Sequence, residues 1–587
     1  MEIYDSFHQV LNDWLQEPLT PKTNGDIKIG EMQLKENPAL VLELSEKLER
    51  VEGWLTFTAF QKLFQSKLQK PIPPQETDPI FDPSNIKYES PNQRQIAVSY
   101  RYKKALQEYE KRYARYTQIS EESRTIVSNY RADIGGYLEF VETTLSSAAP
   151  VNSGSFFFEP WPVNIHEAAR KRHTFLTGGT GSGKSEALKL LIRHYETKQT
   201  DTALVILDPH GKLAHDVALF AEHQHNDRLV YIDPNLSSQH TPVLNAFEVS
   251  DKSVSSLETQ SAQLMAAMEQ VLAGFTLNME SLLLPCLTVL LHRDGSDLSD
   301  LVRFMDKGRN RDLVNYGIQH LPFDEHRIFF ETQFFSQHFD STKEALRNRF
   351  QSLINIPTIK QFTCGSSTFD LESLIDQKKI IVFNLSISGA AKNSTRVIGQ
   401  FITALVQSYA MRREQNQNNP KTPIHFFADE CQYFVSRTTD DILGESRKYG
   451  LFLTLATQRT EQVGGRTLDA ILGNAGLFLV GKNRGKTVSK MSKELDIEPN
   501  DIRSLPTGSF YLSQSGRTCI RTKLPLVGQK YAMKAKDWEK VRQEQLDRYY
   551  RQTNKVTRQH SSGKAASTNA PKPKLSFPEM PPIKPKT

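Results

Sequence analysis

Short, near-continuous apolar runs recur through the middle of the chain and predict buried strands. Each run is four to six residues long, and segments with helical spacing separate most of them. Parallel strands covered by helices on both faces have this composition, whereas a half-exposed strand alternates apolar and polar residues. The pattern therefore predicts an α/β fold with a mostly parallel sheet and helices on both faces. The runs lie at residues 173–177, 203–207, 229–232, 380–385, 424–428, 451–455 and 477–480.

The apolar runs stop between residues 254 and 362, where the pattern is helical throughout. A core that begins at residue 151 and is interrupted in this way has two parts, 151–253 and 366–530. We therefore predict an all-helical insertion, residues 254–365, between them.

The two ends of the chain differ from this core. Residues 1–70 carry apolar stripes at helical spacing, Val41 to Val51 and Phe57 to Leu68, and predict a helical N-terminal region. Residues 71–93 read as a proline-rich linker, and residues 94–150 as a long charged helix or a helical hairpin. A final helix is expected at residues 531–550, followed by a disordered basic tail at residues 551–587.

One stripe in the charged helix has two interpretations. Tyrosines and a leucine recur on one helical face, and basic residues are interleaved with them. A packing seam is favoured over an aromatic and basic nucleic-acid surface. The stripe consists of Tyr102, Leu106, Tyr109, Tyr113 and Tyr116, interleaved with Arg101, Lys103, Lys104, Lys111, Arg112 and Arg115.

The net charge of +6 is unevenly distributed, because the tail carries eight basic residues against one acidic residue. The tail could contact DNA or an acidic partner, or it could be a solubilising extension. The chain has no signal peptide pattern, no stretch of 18 apolar residues, and four widely separated cysteines. These features predict a protein with reduced thiols that is cytoplasmic, either free or peripheral at a membrane secretion complex.

Residues 178–185 form a complete phosphate-binding loop between a predicted strand and a predicted helix. Its glycines allow the backbone N–H groups to point at a phosphate, Lys184 would reach the β- and γ-phosphates, and the Ser185 hydroxyl would bind Mg²⁺. We therefore expect the chain to bind a nucleoside triphosphate with Mg²⁺. The loop residues are Gly178, Gly179, Thr180, Gly181, Ser182, Gly183, Lys184 and Ser185.

Two adjacent acids supply the other half of the predicted site. The run at residues 424–428 ends in Asp429 and Glu430, at the strand end where ligands bind in such sheets. Asp429 would act through the Mg²⁺ shell, and Glu430 would polarise the attacking water. A glutamate in this position indicates an ATPase with a strand inserted between the two motif-bearing strands, and residues 203–207 and 380–385 lie between the motifs. No guanine-reading string is present, so adenine is expected.

Two further residues follow in order. Gln458 ends the next apolar run, where it could sense the γ-phosphate or hold the attacking water. Arg447 lies on a predicted helix after the paired acids. From spacing alone, Arg447 is equally well an arginine finger for a neighbouring subunit or a salt-bridged helix residue.

These motifs and their order resemble the HerA–FtsK superfamily, and within it the conjugative-transfer branch of type IV secretion coupling proteins. The chain would be a member without a transmembrane segment. The resemblance covers about residues 165–530. It rests on the following segments: 177–185, 207–211, 384–386, 428–430, 445–451, 456–458 and 473–476.

The resemblance implies a RecA-like P-loop NTPase core, a hexameric ring with ATP at subunit interfaces, and DNA in the central channel. It also implies that Arg447 is the finger acting in trans and that Gln458 is the sensor. Asp208 and His210 match a turn after the second strand, and Asn474 matches a motif near the subunit boundary.

We therefore predict an ATP-hydrolysing DNA translocase of conjugative transfer or related DNA processing. Residues 459–466 and 482–486 are candidate pore loops, or else ordinary solvated loops. Partners in conjugation or secretion could bind the N-terminal region or the tail. The alternatives are a type IV secretion assembly ATPase that acts on protein and a HerA-like DNA-processing helicase or translocase. The spacing of the motifs excludes a two-domain helicase, and the complete set of Lys184, Asp429 and Glu430 argues against a non-catalytic adaptor.

Overall fold

The protein is built around one large sheet whose strands are arranged far from their order in the chain. A computed structural model describes residues 26–40, 71–75, 77–85, 90–128, 160–249, 251–272, 275–386, 392–415, 422–435, 443–445, 448–514, 517–528 and 530–553. Within these residues, eleven strands pair in the order β2-β1-β12-β11-β10-β3-β9-β8-β4-β7-β5, and β13 pairs with β6 separately. The strands are β1 Ile27–Met32, β2 Trp161–Ile165, β3 Thr174–Thr177, β4 Ala203–Asp208, β5 Leu229–Ile232, β6 His240–Thr241, β7 Ile380–Asn384, β8 Ile424–Ala428, β9 Leu451–Thr457, β10 Leu477–Gly481, β11 Ser509–Gln514, β12 Ile520–Lys523 and β13 Arg551–Gln552.

The helices surround and interrupt this sheet. They are α1 Pro91–Ser128, α2 Glu167–Arg170, α3 Lys184–Thr197, α4 Lys212–Ala218, α5 Val254–Val271, α6 Leu277–His292, α7 Leu298–Phe304, α8 Arg311–His320, α9 Asp324–Ile328, α10 Asp340–Ile354, α11 Pro357–Thr363, α12 Leu371–Asp376, α13 Lys392–Gln415, α14 Gly465–Asn474, α15 Gly485–Leu495, α16 Pro499–Ser504 and α17 Ala535–Tyr549. Within the described residues, no helix is long and apolar enough to cross a membrane.

The sheet separates two hydrophobic cores, which explains why its central strands are apolar throughout. On one face, α3, α4 and α17 contribute Leu188, Val217 and Val541. On the other face, α13, α14 and α15 pack against the strands. The seven strands from β5 to β10 in the sheet are parallel. The predicted α/β fold with helices on both faces is therefore confirmed.

The strand inserted between the two motif-bearing strands is not one of those expected from the sequence. We expected this strand among residues 203–207 and 380–385, because they lie between the motifs in the chain. In the sheet, β9 lies between β3 and β8, and it comes after both motifs in sequence. β4 and β7 lie beyond β8 instead, so β9 brings Gln458 between the phosphate-binding loop and the paired acids.

Four strands extend the sheet in an antiparallel direction, and the apolar runs did not predict them. β11 pairs with β10, β12 with β11, β1 with β12 and β2 with β1, all antiparallel. β1 corrects the prediction of an entirely helical region over residues 1–70. Its alternating buried and exposed positions are interrupted at Gly30, where a register shift marks a bulge.

The segment between β6 and β7 forms the helical insertion, with helices α5 to α11 and its own core. No strand occurs in the described part of residues 254–365. Phe304, Phe330 and Phe350 are fully buried in this core, which also takes in Val397 and Phe401 from α13. The insertion therefore packs on the same long helix that covers one face of the sheet.

At the ends of the described chain, α1 and α17 have different surroundings. The linker before α1 contains two short 3-10 turns, and Phe81 in the first turn packs edge-to-face on Tyr102 with 5.5 Å between ring centroids. α17 packs on the edge strand β5. The tail was predicted to be disordered from residue 551, but β13 pairs with β6 there, so this boundary is wrong. The predicted stripes at residues 41–70, residues 129–150 of the charged segment and the tail beyond residue 553 lie outside the described residues.

Candidate active site

The phosphate-binding loop connects β3 to α3 by the expected tight turn. Gly181 and Gly183 have positive φ angles of 78° and 101°, which side chains larger than glycine rarely adopt. A Cβ atom on Gly178 would overlap the Ser182 hydroxyl, so the loop also needs glycine there for space. Because α3 begins at Lys184, the loop leads directly into the amino end of a helix, where the helix dipole favours an anion.

The structure brings Lys184 onto both predicted acids, although 245 positions separate it from Asp429 in the chain. The Lys184 ammonium forms an ion pair with Asp429 and lies 2.9 Å from Glu430 Oε1. All three side chains are buried, with exposed fractions of 7% for Lys184, 5% for Asp429 and 2% for Glu430. The two halves of the predicted site therefore meet in one buried cluster.

Burial and charge act against each other on these groups. Burial disfavours the charge on Lys184, but the two carboxylates outweigh it and raise the Lys184 pKa. Burial raises the pKa of Asp429, against the opposing effect of Lys184. Burial also acts to raise the pKa of Glu430, but Lys184 and hydrogen bonds from Gln432 and the Gln458 backbone lower it overall. These contacts favour the ionised form of Glu430.

Glu430 adopts an unusual backbone conformation at the end of β8. Its φ and ψ angles are 49° and 58°, in the left-handed region that non-glycine residues seldom occupy. Such strain costs about 1–3 kcal/mol and persists where the surroundings fix it, often at functional sites. Here Glu430 Oε2 accepts hydrogen bonds from Gln432 Nε2 at 3.0 Å and from the Gln458 N–H at 3.2 Å.

Gln458 joins the phosphate-binding loop to the acids, as its position after β9 allows. Its side-chain Oε1 accepts a hydrogen bond from the Thr180 hydroxyl at 3.1 Å, while its backbone N–H contacts Glu430. A group that touches both motifs can respond to what the loop binds. This placement is compatible with the predicted sensor role.

Two residues of this network have no motif that would have identified them. Gln432 donates to Glu430 and accepts a hydrogen bond from the Thr457 hydroxyl at 3.0 Å. Asn483 is buried and donates to the Thr177 hydroxyl and to the Gln458 carbonyl, both at 3.2 Å. The sequence holds only weak signals for them: Gln432 lies two residues after Glu430, and Asn483 lies in a predicted pore loop.

The other predicted residues have local roles or lie elsewhere. The Asp208 carboxylate accepts hydrogen bonds from the backbone of His210 at 2.8 Å and of Ala214 at 2.9 Å, which fixes the turn into α4. His210 is exposed, and Asn474 donates to a carbonyl within α14 at 2.9 Å. Arg447 lies outside the described residues.

The donor set of the cluster fits a magnesium ion. Two buried carboxylates face a single ammonium group, so the cluster lacks one positive charge, and the Ser185 hydroxyl stands on the first turn of α3. Mg²⁺ prefers oxygen ligands and commonly binds one or two carboxylates together with substrate phosphates. Among the described residues, no group of three or more His, Cys, Asp or Glu side chains could hold a metal on its own. The residues therefore suit a metal that enters with a nucleotide.

Five exposed basic side chains lie in the segments that follow β9 and β10, either on the loops or on the first turn of the next helix. β9 and β10 both pair with β3, one on each side, so the segments that follow them emerge beside residues 178–183. Gly179 N–H donates to the Lys482 carbonyl at 2.9 Å, which ties one of these loops directly to the site. The basic residues are Arg459, Arg466, Lys482, Arg484 and Lys486.

A glycine-rich loop at a helix start, a lysine held by paired acids, and a glutamine from the strand between them define the site of a P-loop NTPase. Residues 119–496 match the family model for type IV secretory system conjugative DNA transfer. Because that match spans more than half of the 587 residues, the chain belongs to this family.

Similar solved structures include the plasmid coupling protein TrwB in complex with ADP and Mg²⁺, at 19% identity and a TM-score of 0.48 over 62% of this chain and 88% of that one. TrwB with a non-hydrolysable ATP analogue has 18% identity and a TM-score of 0.49 over 64% and 90%. VirB4 of Thermoanaerobacter pseudethanolicus has 13% identity and a TM-score of 0.38 over 62% and 91%. Among curated proteins, no sequence matches this chain.

Proposed function

We propose that this protein is an ATP-hydrolysing DNA translocase of conjugative transfer. The observation that carries the proposal is the buried cluster of Lys184, Asp429 and Glu430, joined to the phosphate-binding loop through Gln458. A complete hydrolytic set in a member of a conjugative DNA transfer family points to DNA as the substrate that is moved.

The proposed cofactors are ATP and Mg²⁺, as in the TrwB complexes with ADP and Mg²⁺. The metal would neutralise the phosphate charge, held by Ser185 and, through its shell, by Asp429. Lys184 would exchange its carboxylate partners for the β- and γ-phosphates. Glu430 would then accept a proton from the attacking water, and Gln458 would hold that water or contact the γ-phosphate.

We place the DNA contacts on the two loops that follow β9 and β10. Translocases grip the phosphate backbone with cations and read little sequence, so exposed Arg and Lys side chains suffice. Arg459, Lys482 and Arg484 are exposed on loops that also touch the ATP site. This position would let a change at the nucleotide reach the DNA directly.

The assembly we propose is a homo-hexameric ring on the cytoplasmic side of a secretion complex, with Arg447 of each subunit facing its neighbour's nucleotide. Partners in conjugation would bind the N-terminal region or the basic tail. Family membership supports this assembly, because the family is that of conjugative DNA transfer through a type IV secretory system.

The test is the ATPase rate with and without single- and double-stranded DNA, on protein whose oligomeric state is measured by light scattering. Lys184→Ala serves as the inactive control. We expect an oligomer whose rate rises with at least one form of DNA. A monomer with a DNA-independent rate would contradict the proposal, and a DNA-independent oligomer would favour the protein-moving alternative.

A further inference from the structure

The two loops beside the phosphate-binding loop are joined to each other across the end of β3. We call residues 458–463, which follow β9, the sensor loop, and residues 482–486, which follow β10, the basic loop. β9 and β10 contact opposite sides of β3 at Thr177 and its neighbours, so only the P-loop separates the two loops. Asn483 spans this gap by donating to Thr177 and to the Gln458 carbonyl, both at 3.2 Å.

A second junction between the two loops lies at Thr487, four residues after Asn483 in the chain. This residue is fully buried at the start of α15, directly after the basic loop. Its hydroxyl accepts a hydrogen bond from the Thr460 N–H at 3.0 Å and donates one to Glu461 Oε2 at 2.7 Å. One hydroxyl therefore pins both the backbone and a carboxylate of the sensor loop to the helix that carries the basic loop.

The basic loop is joined to the sensor loop while its cations stay exposed to solvent. Asn483 and Thr487 supply the two junctions, one within the basic loop and one directly after it. The Lys482, Arg484 and Lys486 side chains are exposed. A ligand on these cations would therefore be connected to the sensor loop through buried hydrogen bonds.

We infer that the contact of Thr487 with Thr460 and Glu461 is the link that transmits the nucleotide state from Gln458 to the basic loop. Thr487 is a positioning residue, because it is fully buried and would act through Thr460 and Glu461. This inference rests on the proposed function, in which the basic loop holds DNA. Loss of the γ-phosphate would release Gln458, shift the sensor loop, and carry α15 and its cations with it. By reciprocity, DNA on the basic loop would change the affinity for the nucleotide. The hydrolysis rate would change as well if DNA shifts Gln458 through the same contact.

The experiment compares Thr487→Val, which removes the hydroxyl at nearly constant volume, with Thr487→Ser, which keeps it. We expect Thr487→Val to bind DNA normally, because every cation is retained, and to keep its DNA-free ATPase rate within about twofold. Its stimulation by DNA should fall by about fivefold or more, a typical size for lost coupling. Thr487→Ser should restore stimulation. Thr363→Val, which removes a buried hydroxyl in the insertion, is the matched control.

The possible failures are distinguishable. If wild-type protein is not stimulated by DNA, the proposed function fails and the inference fails with it. If wild type is stimulated and Thr487→Val is stimulated equally, the inference is wrong while the proposed function stands. If Thr487→Val melts at a lower temperature than Thr363→Val, a loss of stability could itself explain its weaker response to DNA. The test is then made at Glu461, the exposed partner of Thr487. Glu461→Ala must then lose stimulation, and an undiminished response would overturn the link.

Discussion

At the level of single residues, motif spacing identified the groups that carry charge but not the amides that hold them. Lys184, Asp429 and Glu430 belong to strings whose chemistry is recognisable from the sequence alone. Gln432 and Asn483 act through partners 25 and 306 positions away, Thr457 and Thr177. Only the folded sheet brings those partners together, so the sequence holds no more than weak signals for these two amides.

One buried residue near the site gives a pH prediction. His425 lies on β8, fully buried, with its Nδ1 atom 2.8 Å from the Tyr195 hydroxyl. Burial lowers the pKa of His425 well below 6.5. The unfolded chain therefore takes up a proton as the pH falls below about 6.5, while the folded protein does not. The stability that His425 contributes is present above that pH and is lost below it.

As the pH falls from about 6.5 to 5, we expect the free energy of unfolding to fall because of this histidine, with a slope that rises towards about 1.4 kcal/mol per pH unit. His194, whose pKa burial lowers to about 4, adds to the same trend. Urea unfolding over this range should show a shallower pH dependence in His425→Gln, by close to one proton. His338→Gln, at an exposed position in the insertion, is the control. Equal slopes in wild type and His425→Gln would contradict the assignment.

At the level of secondary-structure elements, the strands that could be predicted are those buried on both faces. Every central parallel strand coincided with an apolar run, because helices cover both sides of it. β11 and β12 mix polar and apolar residues, since they lie in the antiparallel extension, and β12 has only one buried position. Such strands are recognised by their pairing partners, which the sequence does not reveal.

The structure was also needed to choose between the two interpretations of the tyrosine stripe on α1. Lys103, Lys104 and Lys111 are exposed, whereas Tyr102 and Tyr109 are half-buried. Tyr102 packs on Phe81, as the packing-seam interpretation expects.

Helix α17 protects an open edge of the sheet, which predicts a specific stability effect. β5 is the edge strand, and Gln545 accepts from the Tyr231 N–H at 2.8 Å and donates to the Leu229 carbonyl at 3.2 Å. Tyr550 likewise donates to the Tyr231 carbonyl and accepts from the Asp233 N–H, both at 2.8 Å. Side chains thus take the place of a further strand and block pairing with another chain.

We expect Gln545→Met to lower the free energy of unfolding by about 1–3 kcal/mol, because two buried backbone groups lose their partners. It should also increase self-association through β5, measured by light scattering during a thermal melt. Gln543→Met, on the exposed side of the same helix, should behave like wild type. If both variants melt and associate alike, α17 does not act as an edge cover.

At the scale of the whole molecule, the fold explains why the two halves of the site lie so far apart in sequence. The helical insertion, residues 254–365, supplies nearly half of the 245 positions between Lys184 and Asp429, yet the chain leaves the large sheet after β5 and returns to it at β7. β5 and β7 lie at one edge of the sheet, away from β3, β8 and β9, which carry the site. A large domain can therefore be accommodated without disturbing the catalytic cluster.

The remaining element of the proposed site, Arg447, must be tested in the assembled protein. If Arg447 acts in trans, an active interface needs the P-loop of one subunit and Arg447 of its neighbour. Lys184→Ala and Arg447→Ala should each be inactive alone. In rings formed from both variants at equal amounts, about one quarter of the head-to-tail interfaces would combine an intact P-loop with an intact arginine.

Co-assembled Lys184→Ala and Arg447→Ala subunits should therefore hydrolyse ATP faster than either variant alone. The matched control mixes Lys184→Ala with Glu430→Gln. Those two lesions affect the same subunit's half of the site, which the ion pair between Lys184 and Glu430 establishes, so no intact interface can form. Recovery in the first mixture and not in the second would assign Arg447 to the neighbouring subunit. Equal inactivity of the two mixtures would mean that Arg447 serves its own subunit, and the ring would lose its proposed basis for shared catalysis.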